Sequence, residues 1–288
     1  MERVANITLA GASDKIGAPV GAKLFGATLL ASALSSALLA SWLPLQFSVI
    51  TVFLFAGPHN LFEFRYFLTR MPARFGKSRN FFLVAFGGIC FLTTSYVLLP
   101  ALYYSGLWSG GNWVMMIAVW NSLLLLWIAT LVWMRGNQST KRDWFWAWPV
   151  SLSLISLNWM APELFSLGIV YLHPLVALWF LDRQLRRSRP GWVPTYHLFL
   201  GIFLLLVFAL LWQLSGTQSL NDDNGLAWRV TQHAGAELLS GVSTHLLVSL
   251  HVFLEMLHYL VWLVALPLLS STGKIWKLTS IPLVQHPR

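Results

Sequence analysis

The sequence predicts an all-α, polytopic integral membrane protein, and three observations carry that prediction. Of its 288 residues, 57% are apolar and only 10% charged, where a soluble domain carries about 25% charged residues. The apolar residues fall in runs close to the roughly 20 residues needed to cross a hydrocarbon core about 30 Å thick. The basic residues gather in alternate short loops between those runs, the charge pattern that orients a chain in a bilayer.

Eight spans follow from the apolar runs, at about Leu24–Leu43, Phe47–Leu68, Phe81–Tyr104, Trp113–Met134, Trp144–Met160, Leu164–Leu181, His197–Leu214 and Thr244–Leu269. The region from Trp144 to Leu181 is too long for one helix, and Asn158-Trp-Met-Ala-Pro162-Glu163 divides it. Small residues at four-residue spacing in the first span (Ser32, Ser36, Ala40) suit a close helix-packing face. The long, nearly charge-balanced region ahead of that span argues against a cleaved signal peptide.

The loops test the count. Arg70, Arg74, Lys77 and Arg79 follow span two; Arg135, Lys141 and Arg142 follow span four. Arg183, Arg186, Arg187 and Arg189 follow span six, and Lys274, Lys277 and Arg288 follow span eight. Trp42–Gln46 and Ser105–Asn112 carry no charge, and the loop after span seven holds Asp222, Asp223 and Glu237 against Arg229. Positive charge stays cytoplasmic, so both termini are expected inside. The expected location is a bacterial inner membrane, in contact with the lipid bilayer.

The net charge of +9 does not point to nucleic acid, because it is spread over short loops and forms no continuous basic face. A single cysteine, Cys90, excludes an internal disulfide and a multi-cysteine metal site. The chain shows no internal repeat and no separate soluble domain. One irregular region, Ser215–Gly241, starts polar and becomes the weakly amphipathic stretch Leu226–Ser240, expected to lie in the interface as a lid helix. Within it, Asn221-Asp-Asp-Asn-Gly225 lacks EF-hand ligand spacing and reads as a turn.

Ionisable residues inside spans cost a few kcal/mol and mark functional sites by default. Here they are His59 in span two, His173 in span six, and His251, Glu255 and His258 in span eight. Counted from the non-cytoplasmic ends at about 1.5 Å per residue, all fall near the midplane. On span eight, Glu255 lies about 40° around the helix from His251 and His258 about 20° the other way, one narrow polar stripe. Span two repeats the theme with His59 and Glu63 one turn apart. Inward His and Glu at such spacings on facing helices build metal sites in bundles. Imidazole with a little carboxylate suits iron, zinc or copper, and open coordination positions favour iron–oxygen chemistry.

Plainer roles compete. A lone membrane histidine such as His173 also serves as a hydrogen-bond partner between helices. Glu63 has Arg65 nearby and also suits an interfacial ion pair. Glu63, His233, Glu237 and His245 form a second rank of candidates, His233 and Glu237 repeating the His-x-x-x-Glu spacing in the lid. His197 and His286 lie at an interface and in the tail, where solvation explains them.

The segment Ala56-Gly-Pro-His59-Asn-Leu-Phe-Glu63 resembles the Gly-x-Pro-His-Gly-Ala-x-Asp signature of the Brp/Blh family, membrane β-carotene dioxygenases that make retinal. The resemblance implies a polytopic fold and non-haem iron held by intramembrane histidines. It makes His59 an iron ligand and puts Glu63 in the place of the family's acidic residue. Ala56 and Asn60 stand where the signature has glycines, Leu61 replaces Ala and Glu63 replaces Asp.

The function expected is therefore a membrane-embedded metal-dependent oxidoreductase using O2 on a hydrophobic lipid or isoprenoid. His59, His173, His251 and His258 are the expected ligands, with Glu255 as ligand or base. Two alternatives come from other classes. Midplane histidines on facing helices also serve as axial ligands of haem b in electron transfer. His and Glu at the midplane also relay protons in transporters, although no inverted repeat accompanies them here.

Overall fold

A computed structural model describes residues 2–70, 79–106, 112–137, 143–221, 223 and 225–269, with side chains from residue 21 onward except at 67–70 and 268. Among the described residues every regular element is a helix. Seven helical stretches among the described residues are long and apolar enough to cross a membrane: Gly21–Trp42, Pro44–Tyr66, Arg79–Tyr104, Trp113–Asn137, Pro162–Ser188, Pro190–Leu214 and Thr244–Ala265. The protein is an all-α polytopic membrane protein.

The expected fifth span differs from the rest. Its segment folds as α6 (Ala147–Met160), 14 residues long, which reaches only about 21 Å. Ala161 leaves the helical region at φ −152°, ψ 75°, because a residue before proline is pushed to extended backbone. Pro162 then opens α7 (Pro162–Ser188). The basic positions Arg74, Lys77, Lys141, Arg142, Lys274, Lys277 and Arg288, with His286, Asp222 and most of the loop before Asn112, lie outside the described residues.

The chain packs as two compact units. The first holds the described residues within 1–63 and 171–275, the second those within 64–170.

In the first unit α1 (Glu2–Trp42) lies against α10 (Thr244–Leu260) and α8 (Val193–Leu214). Ala22, Phe25, Leu29, Ala33, Ser36, Ala37 and Ala40 are buried along one seam of α1. Of the expected small-residue face Ser32, Ser36 and Ala40, the last two lie in this seam and Ser32 is half-buried; without long side chains the backbones approach closely. Ser249 Oγ accordingly donates to the Ala40 carbonyl at 2.8 Å. Leu43 leaves the helical region at φ −131°, ψ 55°, and Pro44 starts α2 (Pro44–Thr51). One π-helical turn (Val52–Ala56) joins α2 to α3 (Gly57–Arg70). α10 is the core of the unit. Two-thirds (67%) of its span is buried, against 17–39% for the other spans, so a polar stripe on it has nowhere to face but inward.

The expected lid helix 226–240 is shorter. It ends as α9 (Gly225–His233), because Gly235 takes φ 97° and the Ala236 N–H reaches back to the Thr231 carbonyl at 3.1 Å. A left-handed glycine with that six-to-one bond is a Schellman stop. Tyr171 pins the segment, its hydroxyl lying 2.9 Å from the Ala234 carbonyl and 3.1 Å from that of Leu247.

The second unit is built on α4 (Arg79–Tyr104), α5 (Trp113–Asn137) and α6. Asn121 Nδ2 donates to Asn158 Oδ1 at 2.8 Å and to Ser166 Oγ at 2.9 Å. Asn158 Nδ2 donates to the Ala118 carbonyl at 2.8 Å. This buried network has its donors satisfied and acts as interhelical adhesive. Gly88 lets α4 and α5 meet: a Cβ there would clash with the indole of Trp127, whose Nε1 donates to the Val84 carbonyl at 2.9 Å.

Candidate functional site

Two helical stretches of the first unit run side by side in the same direction and carry the site between them. At one end His245 Nε2 meets the Ser41 carbonyl at 2.8 Å, just before α2 begins. Further along, the rings of His59 and His258 stand 5.1 Å apart, edge to face. Both are buried, with 8% and 3% of their surface exposed.

His59, Glu63 and His258 each offer one ligand atom, and the three atoms lie within 4.8 Å of one another. His173, on α7, brings its ring to 4.5 Å from that of His258. The ring of Tyr259 lies 4.5 Å from that of His59. Both ring nitrogens of His258 are buried without a hydrogen-bond partner among the described residues. An unsatisfied buried polar group costs about 1–3 kcal/mol, and a neutral imidazole has one donor and one acceptor nitrogen, each of which needs a partner when buried. One of those nitrogens falls in the three-atom group with His59 and Glu63, an arrangement that a cation site presents.

The remaining candidates form an adjoining group. The His251 ring lies 5.0 Å from that of His233 and 5.8 Å from that of Tyr171. Its Nδ1 is 3.9 Å from Glu255 Oε2, too long for a hydrogen bond, and that oxygen is itself buried without a partner. Glu255 lies on α10 between His251 and His258, one turn before Tyr259, so it stands between the two groups. His251 and His258 are separated by about 10 Å along α10. The structure thus distributes the four expected histidines: His258 is joined by His59 and His173, whereas His251 is joined by His233. Glu63, of second rank on sequence grounds, is brought to the donor set with His59 and His258. His245 is engaged by the Ser41 carbonyl, and Glu237 is exposed on the turn after α9. His197 sits in an ion pair with Asp182 at 2.7 Å.

Three features escaped the sequence reading. Tyr259 and Tyr171 are apolar by composition and gain their roles from neighbours. The third is a pair of π-helical turns, Val52–Ala56 ahead of His59 and Val261–Ala265 after His258. Each ends two residues before a proline, Pro58 or Pro267. Proline has no N–H to give and its ring collides with the carbonyl four residues earlier. Those carbonyls belong to Leu54 and Leu263, inside the widened turns. Prolines within apolar spans were therefore the available signal, and π-turns frequently mark functional sites.

No protein-family model, curated protein or solved structure matches this chain.

Proposed function

We propose that this protein is a membrane-embedded, metal-dependent oxidoreductase that uses O2 on a hydrophobic lipid or isoprenoid, with non-haem iron held by His59, Glu63 and His258. The observation that carries this reading is the buried ring of His258, unpartnered at both nitrogens among the described residues and grouped with His59 and Glu63. Two imidazoles and one carboxylate are the donor set of non-haem iron oxygenases, which leave positions open for O2 and substrate. The same set holds catalytic zinc in hydrolases, and the resemblance around His59 favours iron. When bound, iron supplies the O2 chemistry.

The chain's own residues do the rest. His173 adds a third imidazole beside His258 from an exposed position on α7, where a substrate dissolved in the bilayer arrives laterally. Tyr259 packs its ring on His59, which orients that imidazole. Val252, Phe253, Leu254 and Leu257 are buried on the other faces of α10, which keeps that helix inside the unit and its stripe away from water. Glu255 is the base or proton carrier, next to the donor set and outside it.

Haem b is less well supported. Imidazoles on opposite faces of one haem iron hold their nitrogens about 4 Å apart, with the macrocycle between them and the ring centroids further out. The His59 and His258 rings are 5.1 Å apart at their centroids and set edge to face. Metal analysis with an optical spectrum on detergent-purified protein tests the proposal. About one iron per chain without a Soret band supports it; a Soret band, zinc alone, or no metal refutes it.

Eight spans with both termini cytoplasmic, in a bacterial inner membrane, complete the proposal. The alternation of basic and uncharged loops supports that topology.

A further inference from the structure

The junction between α7 and α8 carries chemistry that the metal site does not use. α7 leaves its apolar stretch at Asp182 and ends with Arg183, Arg186 and Arg187, and Arg189 follows before the 3-10 turn Pro190–Trp192. Asp182 is the local acid, and both of its oxygens are taken. Arg186 Nε lies 2.6 Å from Oδ2, and His197 Nε2 lies 2.7 Å from Oδ1. Arg183, Arg187 and Arg189 are exposed and make no ion pair among the described residues.

Two of these cations are held in place. The guanidinium carbon of Arg183 sits 5.5 Å from the centre of the Trp179 ring, and that of Arg189 sits 5.6 Å from the Trp192 ring. Trp192 is itself clamped on α1. Its ring lies 5.2 Å from that of Phe25, and a Cβ on Gly21 would come within 2.8 Å of it. Arg189 therefore rests on a fixed platform, so less side-chain entropy is lost when it binds an anion. The location is also informative. Tryptophans mark the level where hydrocarbon gives way to headgroups, and these arginines lie immediately beyond Trp179 and around Trp192, at the depth of lipid phosphates.

We propose that the α7–α8 junction binds the phosphate of an anionic phospholipid, with Arg183, Arg187 and Arg189 as its contacts and Trp179 and Trp192 as its platforms. Forked guanidiniums suit phosphate geometry better than lysines do, and a headgroup at this depth needs no displacement of the chain from the bilayer. A soluble phosphate shares the chemistry but lacks the acyl chains that the flanking apolar helix surfaces, such as exposed Leu175, Val176 and Leu198, would cover.

The test uses the full chain in a neutral detergent, titrated with dioleoylphosphatidylglycerol, dioleoylphosphatidylcholine or inorganic phosphate, with bound lipid counted by native mass spectrometry. Phosphatidylglycerol is expected to bind at least ten-fold more tightly than phosphatidylcholine. The double substitution Arg187→Gln with Arg189→Gln is expected to weaken it roughly 25-fold, about five-fold per arginine. Arg229→Gln, on α9, is expected to leave it unchanged. Equal binding of the two lipids by the unmodified protein overturns the proposal without reference to any variant. So does a double variant that keeps full affinity, or displacement of the lipid by millimolar inorganic phosphate.

Discussion

His59 and His258 sit on two helical stretches that run in the same direction, and their rings meet edge to face with centroids 5.1 Å apart. Glu63 is one turn beyond His59 and joins the same three-atom group.

Removing one donor from this group should release the metal. His258→Ala, His59→Ala and Glu63→Gln are each expected to drop bound iron from about one per chain to near zero, since a site with three protein donors has none to spare. His251→Ala should retain at least half of the iron, because its ring neighbours are His233 and Tyr171. Metal content per monodisperse protein is the measurement. Iron retained in the first three variants and lost in the fourth would move the centre to the other group.

Glu255→Gln separates binding from turnover. Gln keeps the size of the side chain while removing the charge. Iron content should stay within about two-fold, and turnover should fall by 10²–10⁴, the usual range for a lost general base. A Glu255→Gln protein without iron would make Glu255 a ligand.

His245→Ala is expected to cost about 0.5–1.5 kcal/mol, the net worth of its bond to the Ser41 carbonyl. Iron content should not change. Thermal unfolding in detergent gives the first quantity and elemental analysis the second. Loss of iron here would show that the second-rank histidine reaches the site.

Asn158→Leu should destabilise the second unit by about 0.6–1.7 kcal/mol, the range found for interhelical hydrogen bonds in membranes. It removes the bonds to Asn121 and Ala118 and touches no metal donor. Unfolding with activity per folded molecule distinguishes this from a functional role.

Topology is tested by reporter fusions at Lys141 and Thr217, which are expected on opposite sides of the membrane. A signal from the same side for both would remove the eight-span count. The short helix α6 is the place where that count is most exposed, because its 14 residues leave about 9 Å of a 30 Å core uncovered.

The sequence by itself determined that the chain is helical and membrane-embedded, since apolar runs with no water to satisfy their backbones must close their hydrogen bonds within each segment. It also determined which residues bear the cost of burial. His59, His251, Glu255 and His258 were legible because an ionisable side chain in an apolar span is conspicuous, and helical periodicity puts the last three on one stripe. Only tertiary structure decided which of them meet. His258 shares its surroundings with His59, Glu63 and His173 while His251 turns to His233, and that partition depends on where α10 lies against its neighbours. One-dimensional spacing carries no such information, because donors on different helices are brought together by packing and by π-turns that shift a helix face ahead of a proline. The lid helix shows the same division: its apolar pattern ran on to Ser240, but Gly235 in a left-handed conformation closed it at His233.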